Sequence, residues 1–175
     1  FIYLRSEYKY IEDELQKKIY DFNKILKEKN IDFTISLRLG SGAYVCGEET
    51  SLLESMEGKR GEVRNKPPYP TEKGYLGKPT VINNVETFVY TMIIMEIGAE
   101  KFSELGTCDS RGSKVFSISG DAVVKGIYEL ELGMSLKEFV DLFGDSSTKA
   151  VQVGGASGVC IPRKDFETTI IGFEG

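Results

Sequence analysis

The sequence predicts a chain in two parts: an α/β segment containing a long irregular loop, then a small α+β domain. Three observations carry this reading. Apolar residues recur at helical spacing from Tyr8 to Glu28, and a β-branched run from Phe33 to Leu39 leads into Gly40-Ser41-Gly42 and a new helix. After Gly112 two strand signals, one capped helix and two more strand signals follow in order, a pattern that suits a β-grasp or another small α+β domain.

In the first helix Ile11, Leu15, Ile19, Phe22 and Leu26 form the apolar stripe, with Glu12, Asp13 and Glu14 ahead of Lys24 and Lys27, as the helix dipole favours. The second runs from about Glu48 to Glu57, buries Leu52, Leu53 and Met56, and stops at Gly58, a residue suited to a left-handed cap. Residues 59–80 hold Pro67, Pro68, Pro70 and Pro79 and cannot form a regular element. A third helix is expected from Asn83 or Asn84, burying Val85, Phe88, Val89, Met92, Ile93 and Ile97, with Asn83 and Glu86 at capping-box spacing. The glycines and polar residues before Ser113 read as a linker. Strands are then expected at 114–119, 126–132, 150–153 and 158–162, with a helix at 136–143 capped by Ser135 and Glu138 and stopped by Gly144.

Composition narrows the function. A chain of 175 residues, 41% hydrophobic and 28% charged, is globular and holds one ordinary domain or two small ones. The net charge of −5 comes from interspersed residues with no basic stripe, so nucleic acid is not an expected partner. The stretch from Thr91 to Ile97 is interrupted by Glu96 and falls far short of the roughly 20 apolar residues a membrane helix needs, so no direct membrane insertion is expected. Cys46, Cys108 and Cys160 lie far apart with no histidine to complete a zinc site, and read as reduced thiols of a cytoplasmic protein. The start at Phe1, inside what reads as a strand, is expected of a piece cut from a larger protein.

Three constellations could carry chemistry. The run Gly42-Ala43-Tyr44-Val45-Cys46-Gly47-Glu48-Glu49-Thr50 opens a helix with glycines that let a ligand approach the backbone. Its two glutamates would repel a phosphate placed directly there, so a planar ring system or a ribityl chain fits better; the bland reading is that they complement the dipole. Lys66-Pro67-Pro68-Tyr69-Pro70 holds a cation and an aromatic face at fixed separation, fit for a nucleotide, or is simply a polyproline II loop packed on the domain. In Asn83-Asn84 one amide can cap the helix while the other binds a ligand.

Taken together with Leu53-Glu54-Ser55-Met56-Glu57-Gly58 and Gly77-Lys78-Pro79-Thr80, these motifs resemble the FMN- and NADH-binding subunit of respiratory complex I and its relatives in NAD(P)-reducing hydrogenases and NAD-dependent formate dehydrogenases. Lys114 to Gly120 and Val153 to Gly158 resemble the soluble-ligand-binding β-grasp domain that follows the flavin domain there. The resemblance implies part of a Rossmann-like FMN- and NADH-binding domain over 1–106, a linker over 107–113 and the β-grasp domain over 114–175. It implies that Tyr44, Gly47, Glu48, Glu49, Asn83 and Asn84 hold FMN, that Glu49, Lys66 and Tyr69 serve NADH, and that Glu49 is the catalytic carboxylate where nicotinamide meets the flavin. The implied activity is NADH dehydrogenation, hydride passing to FMN and electrons to iron–sulfur clusters, with an iron–sulfur subunit as partner. The Gly-Arg-Gly-Gly-Ala-Gly-Phe type of loop and the cysteines for a [4Fe–4S] cluster are not in this sequence and are expected elsewhere in the parent, leaving the piece alone inactive. The competing class is a non-catalytic binding or assembly module with a degenerate flavin domain; the retained Gly-Glu-Glu run, Lys/Tyr loop and asparagines argue against it.

Overall fold

The computed structural model describes residues 1–173 as a mixed helix and strand fold with three two-stranded sheets. Packing divides the chain into two compact units, Phe1–Asn84 and the part from Val85 onward.

In the first unit β1 (Ile2–Leu4) pairs in parallel with β2 (Leu37–Leu39), Ile2 opposite Leu37 and Leu4 opposite Leu39. Parallel partners need a crossover, supplied by a 3-10 turn at Ser6–Ile11 and α1 (Glu12–Glu28). The sequence leads one to expect a strand over all of 33–39, but β2 is only three residues long. The cause lies on α1: the Asn23 amide donates to the Ile35 carbonyl at 2.8 Å and accepts the Ile35 N–H at 2.9 Å, taking both groups a ladder would use. Just past β2, Gly40 lies under the Tyr3 ring, where a Cβ would come within 2.6 Å of the hydroxyl oxygen. That hydroxyl meets Ser55 Oγ at 2.9 Å, tying β1 to α2 (Glu49–Met56). Leu4, Leu26, Cys46 and Leu53 are the buried apolar residues of this unit. Residues 59–80 are irregular apart from α3 (Pro70–Lys73) and a 3-10 turn at Tyr75–Gly77.

The second unit begins with α4 (Val85–Ile97) and α5 (Ala99–Ser103), followed by a turn closed by a bridge between Gly106 and Arg111. Packing therefore divides the chain ahead of the 107–113 stretch that the sequence suggests as a linker. The antiparallel pair β3 (Ser113–Ile118) and β4 (Gly126–Glu131) leads to α6 (Leu136–Phe143) and the antiparallel pair β5 (Ala150–Val153) and β6 (Val159–Pro162). Leu132, Leu136, Val140, Phe166 and Ile171 form the core, with Phe116, Phe139 and Val151 packed on it. The capping box stands as expected: Ser135 Oγ accepts the Glu138 N–H, and Glu138 accepts the Ser135 N–H at 2.8 Å.

The burial expected along α4 is not observed: Val85, Phe88 and Met92 are 67%, 57% and 70% exposed, and Val89 and Ile97 are exposed too. The helix is apolar on all sides, so periodicity could not say which face packs. Its packed face is chosen by other residues. Tyr90 packs its ring at a tilt against Phe102, with ring centres 5.8 Å apart, and donates to the Ser113 carbonyl, while Glu86 pairs with Lys114 at 2.9 Å.

Candidate functional site

Two segments 17 and 18 residues apart in sequence meet at one ammonium group: Lys66 Nζ lies 2.6 Å from Glu49 Oε1 and 3.1 Å from Glu48 Oε1. One partner is the start of α2, the other the proline loop. Glu48 belongs just outside the helix rather than in its first turn. As N-cap, its Oε2 accepts the Thr50 and Ser51 N–H groups at 2.8 and 2.9 Å and the Thr50 hydroxyl at 2.5 Å. Burial opposes the charge, and the bonds from Thr50, Ser51 and Lys66 outweigh it, holding the Glu48 carboxyl at about 2. Lys66 is shifted the other way, raised by Glu49 and then Glu48. Glu48 and Lys66 are thus both held toward their charged forms.

Ahead of the cap, a 3-10 turn at Tyr44–Gly47 places the Cys46 thiol in the interior, beside Ser51 Oγ at 3.8 Å, and leaves Tyr44 73% exposed. A Cβ built on Gly47 would meet nothing within 4 Å. The backbone there is open to a flat ligand, next to an exposed aromatic ring and a carboxylate, so these residues fit a flavin. Tyr69 is 54% exposed, and its N–H donates to Glu72 at 3.1 Å. Asn83 and Asn84 are exposed at the end of the same unit. The structure therefore brings Glu48, Glu49 and Lys66 into direct contact, with Tyr44 and Gly47 on the adjoining turn.

Sequence reasoning missed a second cluster. Arg64 donates to Glu54 Oε1 at 2.5 Å, Glu57 Oε1 at 2.9 Å and the Gly74 carbonyl at 3.2 Å. Glu57, whose side chain is 8% exposed, is also paired with Lys59 at 2.7 Å and accepts the Leu76 N–H at 2.9 Å. The hydrogen bond from Lys59, set against burial and joined by those from Leu76 and Arg64, holds its carboxyl at about 2. The only sign in the sequence was the spacing of Glu54 and Glu57, neighbours on one helix face, which reads equally well as a solvated surface.

An open glycine turn and a helix start whose two carboxylates are bridged by a lysine come together in the first unit. Residues 1–92, more than half the chain, match the family model of the Nuo51 FMN-binding domain, and the chain belongs to that family. It is 45% identical to the NAD-reducing hydrogenase HoxS subunit alpha of Cupriavidus necator, covering 95% of this chain and 29% of that protein. It is 42% identical to an NADH-quinone oxidoreductase subunit of Aquifex aeolicus, covering 100% of this chain and 44% of that protein. A crystal structure of an NAD+-reducing [NiFe]-hydrogenase in the H2-reduced state superimposes with a TM-score of 0.88 at 41% identity, over 98% of this chain and 30% of that one. The chain thus spans less than half the length of these relatives. Among the described residues no helix is long and apolar enough to cross a membrane.

Proposed function

We propose that the chain is a segment of an NADH-oxidising flavoprotein subunit, in which NADH gives hydride to FMN and electrons pass on to iron–sulfur clusters. The observation that carries this is the Lys66 bridge to Glu48 and Glu49, which sets the loop proposed for NADH against the helix start proposed for the flavin, inside the stretch that matches an FMN-binding domain. Residues 1–106 are then part of a Rossmann-like FMN- and NADH-binding domain, 107–113 a linker and 114–175 a β-grasp domain. The [4Fe–4S] cluster belongs elsewhere in the parent, and the electron acceptor is an iron–sulfur partner subunit of a cytoplasmic module.

Bound FMN would supply the conversion between a two-electron hydride donor and one-electron acceptors. The protein's part is positioning. Tyr44, Gly47, Glu48, Asn83 and Asn84 are assigned to FMN, Lys66 and Tyr69 to NADH, and Glu49 to the place where the two meet. Glu48 spends one oxygen on the helix cap and so fixes the backbone around Gly47. Lys66 carries three N–H donors; two are directed at Glu49 and Glu48, and the third can reach a ribose or phosphate oxygen. Tyr69 offers a stacking face on a proline-stiffened loop.

Glu49 is the carboxylate closest in role to the reacting centre, because negative charge beside the flavin opposes the charge gained on reduction. In the complete FMN-loaded subunit, Glu49→Gln is expected to shift the flavin potential or the rate of reduction by NADH while FMN content and melting temperature hold. A variant with unchanged potential and unchanged NADH kinetics removes Glu49 from this role.

A further inference from the structure

We propose that Arg64, together with Thr50, Glu54 and Glu57, is a positioning device for the dinucleotide, holding the loop that carries Lys66 and Tyr69 in register with α2. The proposal rests on the assignment of Lys66 and Tyr69 to NADH.

Residue 64 is fastened to both ends of one short helix. Its backbone N–H donates to Thr50 Oγ1 at 2.9 Å, and that hydroxyl donates in turn to Glu48, so the loop is bonded to the cap of α2 through a side chain only 1% exposed. Its guanidinium reaches Glu54 and Glu57 at the far end of the helix and the Gly74 carbonyl beyond the prolines. Glu57 also holds the Leu76 N–H, so the two sides of the loop close on one carboxylate. Gly74 is packed too closely for any side chain, since a Cβ would lie 2.4 Å from Thr80 and 2.8 Å from the Pro70 carbonyl. Lys66 follows Arg64 by two residues, and Pro67 and Pro68 limit the backbone between it and Tyr69. The position of residue 64 therefore sets where the ammonium and the ring stand.

Energetics favour a geometric role over a stabilising one. Partly buried ion pairs roughly break even against apolar replacements, because desolvation offsets the attraction. What the cluster supplies is direction: a planar fork with fixed N–H vectors meets two carboxylates and a carbonyl, which the single ammonium of a lysine cannot reproduce.

The test uses the complete FMN-loaded subunit. NAD+ binding is measured by calorimetry, and NADH KM and kcat by steady-state kinetics, in Arg64→Gln, Arg64→Lys, Tyr69→Ala and the Arg64→Gln/Tyr69→Ala double variant. Arg64→Gln is expected to weaken NAD+ binding and raise KM by about five- to tenfold, kcat at saturation and FMN content staying near wild type, with Arg64→Lys recovering only part of the loss. Because Arg64 acts through the loop, its effect shrinks in the Tyr69→Ala background. Unchanged NAD+ binding in Arg64→Gln beside weakened binding in Tyr69→Ala overturns the positioning role, as do fully additive effects. Unchanged binding in Tyr69→Ala overturns the assignment of the loop to NADH, and the proposal with it. Should Arg64→Gln not fold, Glu54→Gln loosens the guanidinium without touching the Glu48 cap and is held to the same readouts.

Discussion

At Glu48 and Glu57 the folded protein keeps two carboxyls near about 2 that ordinarily titrate at 4.5. In the window between those values the unfolded chain binds more protons than the folded one, so stability falls as the pH falls from about 4.5 to about 2. Above that window the contribution is fully present. Denaturation midpoints measured across this range should drop with pH, and Glu57→Gln should flatten the slope; a slope equal to wild type in that variant would contradict the assigned bonds. At this scale the sequence revealed Glu48, Glu49 and Lys66 as candidates, because a glycine-opened helix start and a proline-stiffened cation are local signals. It did not reveal that the three touch, nor that Arg64, Thr50, Glu54 and Glu57 bind the loop to the helix. Those are contacts between segments, and the spacing of Glu54 and Glu57 along one helix does not say which residue of another segment meets them.

Among the elements, those set by their own residues were legible. The Ser135 and Glu138 box, the apolar stripe of α6 and the strand at Ala150–Val153 stand where patterning placed them. Two elements were decided from outside. The strand before Gly40 is shortened by Asn23, an α1 side chain whose amide replaces a ladder partner, and α4, apolar all round, has its packed face fixed by Tyr90 and Glu86. Asn23→Ala deletes both bonds to Ile35 and is expected to cost about 2 kcal/mol, at about 1 kcal/mol per hydrogen bond. Urea denaturation checks it. A loss below about 0.5 kcal/mol would show that the Ile35 backbone finds another partner.

Across the whole molecule, each of the two compact units has its own buried residues, and the cluster of Glu48, Glu49 and Lys66 lies wholly within the first. All the candidate residues fall in that unit and inside the matched 1–92 stretch. The central claim is that this unit seats flavin at the start of α2 and NADH on the Lys66–Tyr69 loop. It is tested most directly by rapid anaerobic mixing of the complete subunit with NADH over a range of concentrations, following the rate at which bound FMN bleaches, in wild type and Tyr69→Ala. Loss of a base-stacking face, worth roughly 1–3 kcal/mol, should raise the NADH concentration that half-saturates the bleaching rate about tenfold while FMN content stays the same. Loss of FMN with an unchanged NADH requirement would contradict the account and place the loop on the flavin instead.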